Sequence, residues 1–287
     1  MPIKFKSLSY IYDEGMPYAS SALDDVNLEL VEGKITAIIG TTGSGKSTLV
    51  EHLNALLLPS KGSLEVFDFN IEANKKNKNL KALRQEVGLV FQFSEYQLFE
   101  ETILKDVAFG PKNYGFSQEE AIEKAKSALK LVGVSEDKYE TSPFDVSGGQ
   151  KRRIAIAGIL ALDPKMVVLD EPTAGLDPKG SEEIIQLFVD LNKKLNKTII
   201  IVSHDNEMVY NYCDNTVLMS NGKVVYSGDT LELFNNDKCI EDYHLIKPQL
   251  VDLKKKLNEN GFNVPTNVRT IEQLAKYIKG EIRRWII

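Results

Sequence analysis

The stretch "KITAIIGTTGSGKSTLVEHLNALL", Lys34 to Leu57, decides how the chain is read. Its first seven residues form a short apolar run, the pattern of a buried strand. The run stops at Gly40-Thr41-Thr42-Gly43-Ser44-Gly45-Lys46-Ser47, which satisfies the phosphate-cradling pattern G-x-x-x-x-G-K-[ST]. Helical spacing resumes at Lys46 and Ser47. Glycines allow the backbone to turn its N–H groups inward around phosphate oxygens. The positive N-terminal end of the following helix adds to the attraction. In this setting Lys46 reaches the β- and γ-phosphates of a nucleotide, and Ser47 is a candidate ligand for Mg²⁺. The predicted cradle runs from Gly40 through Thr48.

Two further apolar strands stop abruptly at polar residues. "KMVVLDE" ends at Asp170 and Glu171, and "KTIIIVSHD" ends at Ser203 and His204. Strands separated by helices predict a mostly parallel, covered sheet, whose ligands bind beyond the carboxyl ends of the strands. Asp170 is placed to hold Mg²⁺, and Glu171 to act as general base on an attacking water. Glu171 could instead cap a helix before Pro172. His204 is a candidate for the γ-phosphate or for orienting water, against the commoner structural use of a single histidine.

Around this centre the N-terminal 35 residues alternate apolar and polar, as in "IKFKSL" and "VNLEL", and predict antiparallel strands. Helical patterns dominate from about Asn79 to Leu162, including an amphipathic helix in "QEEAIEKAKSALKLVGV" that ends near Gly133. "VLMSNGKVVYSG" reads as a hairpin on an Asn-Gly turn. After about Asp229, "IKPQLVDLKKKLNENGF" and "TIEQLAKYIKGEIRRWII" predict two amphipathic helices, either a cap on the main domain or a dimerisation appendage.

The 287 residues are 43% hydrophobic, enough for one large domain with an appendage. A net charge of −6 disfavours a globally basic nucleic-acid binder. Cys213 and Cys239 lack metal-ligand spacing and read as free thiols. No apolar run reaches the roughly 18 residues of a membrane helix, and the start lacks a secretory segment. The chain is therefore expected to be soluble and intracellular by itself, which leaves docking onto a membrane protein open.

One motif remains. "VSGGQKRRIAIAGIL", Val146 to Leu160, looks like a second phosphate cradle at a helix N-terminus. It lies just upstream of "VVLDEPTAGLDP", and together these resemble the signature and acid-pair motifs of ATP-binding-cassette (ABC) ATPases. The resemblance covers nearly the first 235 residues. It implies ATP and Mg²⁺ as ligands and a P-loop ATPase fold: a mixed sheet with a RecA-like core, an antiparallel β subdomain and a helical subdomain at about 93–162. It also implies that two such domains pair head-to-tail. Ser147, Gly148, Gly149 and Gln150 then cover the γ-phosphate held by a neighbour's Gly40–Thr48 loop, so the second cradle serves the partner's nucleotide. Tyr12, in "SYIYDEG", resembles the aromatic that stacks on adenine, with a core strand tyrosine as the alternative. Gln92, in "GLVFQ", resembles the glutamine that contacts Mg²⁺ and senses a transmembrane partner. Asp177, in "AGLD", resembles the carboxylate bridging the two halves, and Glu171 the catalytic glutamate. Val146 stands where leucine is commoner.

"FQFSEYQLFEETILKDVAFGPKNYG", "AIAGILALDPKMVVLDEPTAGLDPKG" and the helical tail at 236–287 narrow the resemblance to energy-coupling factor (ECF) transporter ATPases, which drive vitamin or metal-ion uptake. That group implies a paralogous heterodimer rather than a homodimer, beneath a transmembrane coupling subunit and a substrate-binding membrane subunit, at the cytoplasmic face of the membrane. No nucleic-acid partner is expected. The alternative from another class is a soluble nucleic-acid- or ribosome-associated switch. Phe91, Phe93, Tyr96 and Phe99 are expected both to line a groove for a partner helix and to fill the arm's core, with Phe91 the more buried.

Overall fold

The computed structural model describes residues 3–285. The final residues of the second predicted tail helix, Ile286 and Ile287, lie outside the described residues, as do Met1 and Pro2. The first half is built from β1 (Ile3–Tyr12), β2 (Ser20–Leu30), β3 (Ile35–Gly40), α1 (Lys46–Leu53), β4 (Lys61–Val66), β5 (Phe69–Glu72), α2 (Leu80–Glu86), β6 (Val87–Val90), α3 (Ile103–Asn113) and α4 (Gln118–Leu131). The second half comprises α5 (Gly148–Leu160), β7 (Met166–Asp170), α6 (Pro178–Leu195), β8 (Thr198–Val202), α7 (Asn206–Tyr212), β9 (Asn215–Ser220) and β10 (Lys223–Asp229). Four helices follow: α8 (Thr230–Asn235), α9 (Asp237–Asp242), α10 (Gln249–Glu259) and α11 (Ile271–Trp285).

Two sheets organise these elements. The larger has the order β10-β9-β3-β8-β7-β6 and is parallel except for the antiparallel β9–β10 hairpin. The smaller, β2-β1-β4-β5, is antiparallel throughout. Central strands covered on both faces must be apolar along their whole length. In β3 the side chains divide accordingly. Ile35, Ala37 and Ile39 enter a core shared with α3 to α6, while Ile38 enters a core shared with α1 and the smaller sheet. The mixed α/β architecture matches the expectation from the strand pattern.

One part of the pattern was misleading. The supposed helical stretch from Asn79 to Leu162 contains β6, whose four residues are all buried. "VGLV" is too short to show period-2 alternation, and both its faces are covered, so it carries no polar side. The hairpin turn fits its residues: Asn221 and Gly222 both have positive φ, 49° and 75°, as a type I′ connection requires. Helix α4 begins with a reciprocal Ser117–Glu120 cap and is followed by Gly133 at φ 77°.

The tail shares the larger core. Leu250, Val251, Val264, Val268 and Leu274 belong to the same buried cluster as Ile35 and Ile201. The Arg269 guanidinium donates to the Tyr210 carbonyl at 2.8 Å and also to that of Cys213. Within this chain the extension therefore packs as a cap, and Cys213 is a fully buried free thiol whose pKa burial pushes up to about 12.

The end of β3 is tightly enclosed by backbone. Gly40 has φ 143°, and a Cβ there would lie 2.2 Å from the Met219 carbonyl oxygen. Gly40→Ala is expected to destabilise the chain by at least the roughly 1–3 kcal/mol typical of a strained backbone position. Urea unfolding measures this, and an unchanged midpoint would contradict the packing described.

Candidate functional site at the strand ends

The parallel register brings the polar strand ends together. Asp170 pairs in register with Val202, Ile38 also with Val202, and Gly40 with Met219. Beyond them lies a cleft of about 600 Å³ lined by Tyr12, Thr42, Gly43, Gly45, Lys46, Ser47, Thr48, Gln92, Asp170, Glu171 and His204, with Ser20 to Ala22 completing one wall. Residues from six separated segments thus meet in one concavity.

The loop that opens α1 is shaped by its glycines. Gly45 caps the helix at φ 97°, and a Cβ there would meet the Ala22 carbonyl oxygen at 2.5 Å. Gly43, at φ 79°, faces open space. Gly40 and Thr41 do not line the cleft. Their carbonyls instead accept from Lys46 Nζ, at 2.9 and 3.0 Å. Ser44 also points inward. It is 2% exposed, and its hydroxyl has no hydrogen-bond partner.

Charge is concentrated here in low dielectric. Burial is the main reason that the Lys46 pKa falls below the ordinary lysine value, with Glu171 and Asp170 pulling the other way. Burial likewise raises Asp170, and Ser47, Lys46 and His204 offset it in part. Glu171 is raised by burial first and by the Asp170 charge second. His204 is lowered by burial and by Lys46, so its ring is neutral near pH 7. The 3.1 Å approach of His204 Nε2 to Glu171 Oε1 is accordingly no ion pair at that pH. That oxygen is buried without a hydrogen-bond partner. Glu171 also holds a left-handed backbone, φ 48°, with its N–H on the Val202 carbonyl at 3.1 Å. A non-glycine residue in that region stores strain and turns the side chain away from the path of β7.

The donor set suits a hard cation held jointly with phosphates. Ser47 and Gln92 line the same wall as Asp170, and the nearby Ser47 hydroxyl draws the Asp170 pKa down. Among the described residues no group of three or more His, Cys, Asp and Glu side chains could hold a metal alone. One carboxylate and one hydroxyl, supplemented by phosphate oxygens and water, fit Mg²⁺ rather than a caged metal.

Tyr12 is half in solvent. Its ring packs edge-on against Tyr10 at 4.8 Å, and its hydroxyl is 3.1 Å from Thr48 Oγ1. It is therefore an exposed face on the cleft, not a core strand tyrosine. Tyr10 in turn stands edge-on to His52, which is fully buried and whose pKa burial lowers to about 4.

Ser147, Gly148, Gly149 and Gln150 are not part of this cleft. Ser147 caps α5 by accepting from the Gln150 N–H at 3.4 Å, and the Gln150 side chain accepts from the Ser147 N–H at 3.3 Å. Nothing lies within 4 Å of where a Cβ on Gly148 or Gly149 would sit, which leaves the turn open to solvent. Asp177 caps α6 through the Gly180 N–H at 3.0 Å and is exposed.

Sequence reasoning missed Arg152. This side chain, 3% exposed, forms a two-pronged pair with Glu95 and donates to the Pro172 and Ala174 carbonyls. A basic residue in "QKRR" reads as solvated, and only the tertiary packing of α5 buries it. Of the four aromatics, Phe91 is partly buried against the second core and lines a separate apolar cavity of about 310 Å³ with Leu56, Tyr114, Ile159 and Leu162. Phe93, Tyr96 and Phe99 are exposed.

Residues 23–174 match the ABC transporter family. The chain is 50% identical over 279 residues to the energy-coupling factor transporter ATP-binding protein EcfA2 of Streptococcus agalactiae, covering 97% of this chain and 99% of that protein. It is 48% identical to the protein of that name from Clostridium tetani, covering 96% of each. Among solved structures it resembles cbiO1 of Clostridium perfringens, part of the ABC transporter complex cbiONQ. The TM-score is 0.72 and the identity 38%, over 88% of this chain and 98% of that one. It also resembles the ATP-binding cassette MJ0796, solved as a post-hydrolysis dimer bound to ADP and Pi, with TM-score 0.70 and 30% identity over 79% and 98% of the two chains.

Among the described residues, the ammonium of Lys46 is the one cationic side chain on the cleft wall near neutral pH. Lys46→Ala is expected to weaken ATP binding on the order of tenfold to a hundredfold, the scale of a hydrogen bond to a charged group. Titration with a fluorescent ATP analogue measures it, and unchanged affinity would contradict the cradle.

Proposed function

The chain belongs to the ABC transporter family, and from that membership we propose that it is the ATP-hydrolysing subunit of an energy-coupling-factor-type importer. It binds ATP and couples hydrolysis to transport by working with transmembrane subunits. The observation that carries the site assignment is the convergence of Lys46, Asp170, Glu171, Gln92 and His204 on one cleft that the Ser147–Gln150 turn does not reach. A turn built like an anion cradle but facing away from its own cleft suits a nucleotide held by another subunit.

In this reading ATP lies with its phosphates over the Gly40–Thr48 loop and its adenine on Tyr12. Lys46 leaves its backbone carbonyls for the β- and γ-phosphates. Ser47, Asp170 and Gln92 would hold Mg²⁺, which neutralises phosphate charge when bound. Glu171 accepts a proton from the attacking water, and burial makes it a stronger base by raising its pKa toward the working pH. The neutral His204 imidazole steadies that carboxylate and the water. The strained backbone at Glu171 supports a functional site, since such strain persists only where the surroundings impose it. Ser147–Gln150 of a neighbouring subunit close over the γ-phosphate, and Asp177 lies at the junction. ATP then favours the closed pair, and loss of the γ-phosphate favours opening.

The neighbour is a paralogous ATPase subunit rather than a second copy. Among the described residues no helix is long and apolar enough to cross a membrane, so attachment to the cytoplasmic face runs through transmembrane partners. The apolar cavity at Phe91, Tyr114, Ile159 and Leu162 offers a seat for a helix of the coupling subunit. The tail, through Leu250, Val251, Val264, Val268 and Leu274, caps the ATPase domain. The EcfA2 and cbiO1 relatives favour the importer over a nucleic-acid or ribosome switch.

Glu171→Gln is expected to lower turnover by about a hundredfold or more while ATP still binds, and to accumulate an ATP-bound pair. Steady-state ATPase assays with light scattering test this; near-normal turnover would overturn the base assignment. The deprotonated carboxylate is the active form, so activity is lost as pH falls through its raised pKa. The acid limb of kcat should lie above the ordinary glutamate value of 4.5 and disappear in Glu171→Gln. An acid limb at or below that value would contradict the burial described.

A further inference from the structure

Arg152 makes more bonds than any surface role would need. Its Nε and Nη2 donate to the two Glu95 oxygens at 3.0 and 2.8 Å. Its Nη1 donates to the Pro172 carbonyl at 3.0 Å and the Ala174 carbonyl at 2.7 Å. The Phe93 ring lies over the guanidinium, 5.8 Å from centroid to Cζ. A Cβ on Gly175 would touch that same ring at 3.7 Å. One buried cation therefore holds the segment after Gln92 and the segment after Glu171 together.

The positions of those segments give the contact its meaning. Glu95 is three residues beyond Gln92. Pro172 directly follows Glu171 and leads into the turn that ends at Asp177. Arg152 sits in α5, one and a half turns from Ser147, a rise of about 7.5 Å along a rigid helix. Guanidinium suits this task because its planar fork matches a carboxylate in a bidentate pair while its remaining N–H groups reach carbonyls. A lysine could hold the charge but not all four acceptors at once.

We propose that Arg152 is a positioning residue that couples the helical arm to hydrolysis. Through Glu95, Pro172 and Ala174 it makes the Gln92 turn, the Glu171 turn and the Ser147–Gln150 turn move as one unit. A displacement of the arm is then delivered to the catalytic carboxylate instead of being absorbed in the loops between. Arg152 does not line the cleft; it acts through the groups it holds. This inference rests on the roles proposed above for Glu171, Gln92 and Ser147–Gln150.

The test uses the full chain in its membrane complex. Removing one charge alone would leave the other poorly compensated, so Arg152→Met is paired with Glu95→Met. The expected result is a fall in kcat of about tenfold or more with KM for ATP within about twofold, because the cradle and Tyr12 are untouched. Arg152→Lys should lie between this variant and the parent in kcat, again at unchanged KM. A merely structural role would reduce the yield of folded protein without separating kcat from KM at equal folded concentration. If the double variant does not fold, Arg152→Lys decides: a loss of about threefold or more in kcat supports the proposal, and an unchanged kcat overturns it. Should Glu171→Gln abolish turnover while a folded double variant retains the parental kcat, the coupling role fails and the proposed function stands. Normal turnover in Glu171→Gln would sink the underlying function.

Discussion

A carbonyl oxygen that leaves no space beside residue 40 is the constraint from which the site follows. Met219 on β9 packs against the last residue of β3 so closely that only glycine fits, and there only with a backbone turned to positive φ. The chain must leave the sheet at that point. It does so as a loop stacked on the end of the central strand, and α1 starts from it against the Ala22 carbonyl. A phosphate cradle is thereby fixed to the end of a buried central strand. Its geometry is supported by packing on both sides and not by its own hydrogen bonds alone.

The parallel sheet does the rest of the assembly. Neighbouring parallel strands end on the same edge, so a polar residue placed just after each apolar run arrives at the same cleft. Asp170, Glu171, His204 and Gln92 come from three different strands and meet there because the parallel register brings their ends together. Their crowding in a partly buried space has an electrostatic consequence. Both acids are raised, and Lys46 is lowered, by the same removal from water. A phosphate chain with its metal ion would reorganise that balance, and Lys46 holds carbonyls that a phosphate can replace.

What could be read from the residues follows the same logic. The cradle was legible because its glycines and lysine are set by local chemistry at fixed spacing. The acid pair was legible because it ends an apolar strand of full length. Strand β6 was hidden, since four buried residues between helices carry no periodicity. Arg152 and Glu95 were hidden for another reason: two charges 57 residues apart in sequence show nothing until packing buries them together. The Ser147–Gln150 turn was legible as a cradle, yet within one chain it is a helix cap, and its second use depends on a surface that a single chain lacks. The tail helices were legible as elements. That they share the main core depends on tertiary contacts such as Arg269 on Tyr210, which no local pattern foreshadows.

The central claim is that one subunit's Ser147–Gln150 turn closes over a triphosphate gripped by another. Photolabelling tests it directly, using ATP carrying an azido-aryl group on the γ-phosphate. The complex would contain this chain as Lys46→Ala, its own cradle weakened for nucleotide, beside an unaltered partner ATPase, at a label concentration that fills only the unaltered cradle. The account predicts label on the peptide spanning residues 147–150 of the altered chain. Label confined to the partner's own peptides, with none on that turn, would contradict it.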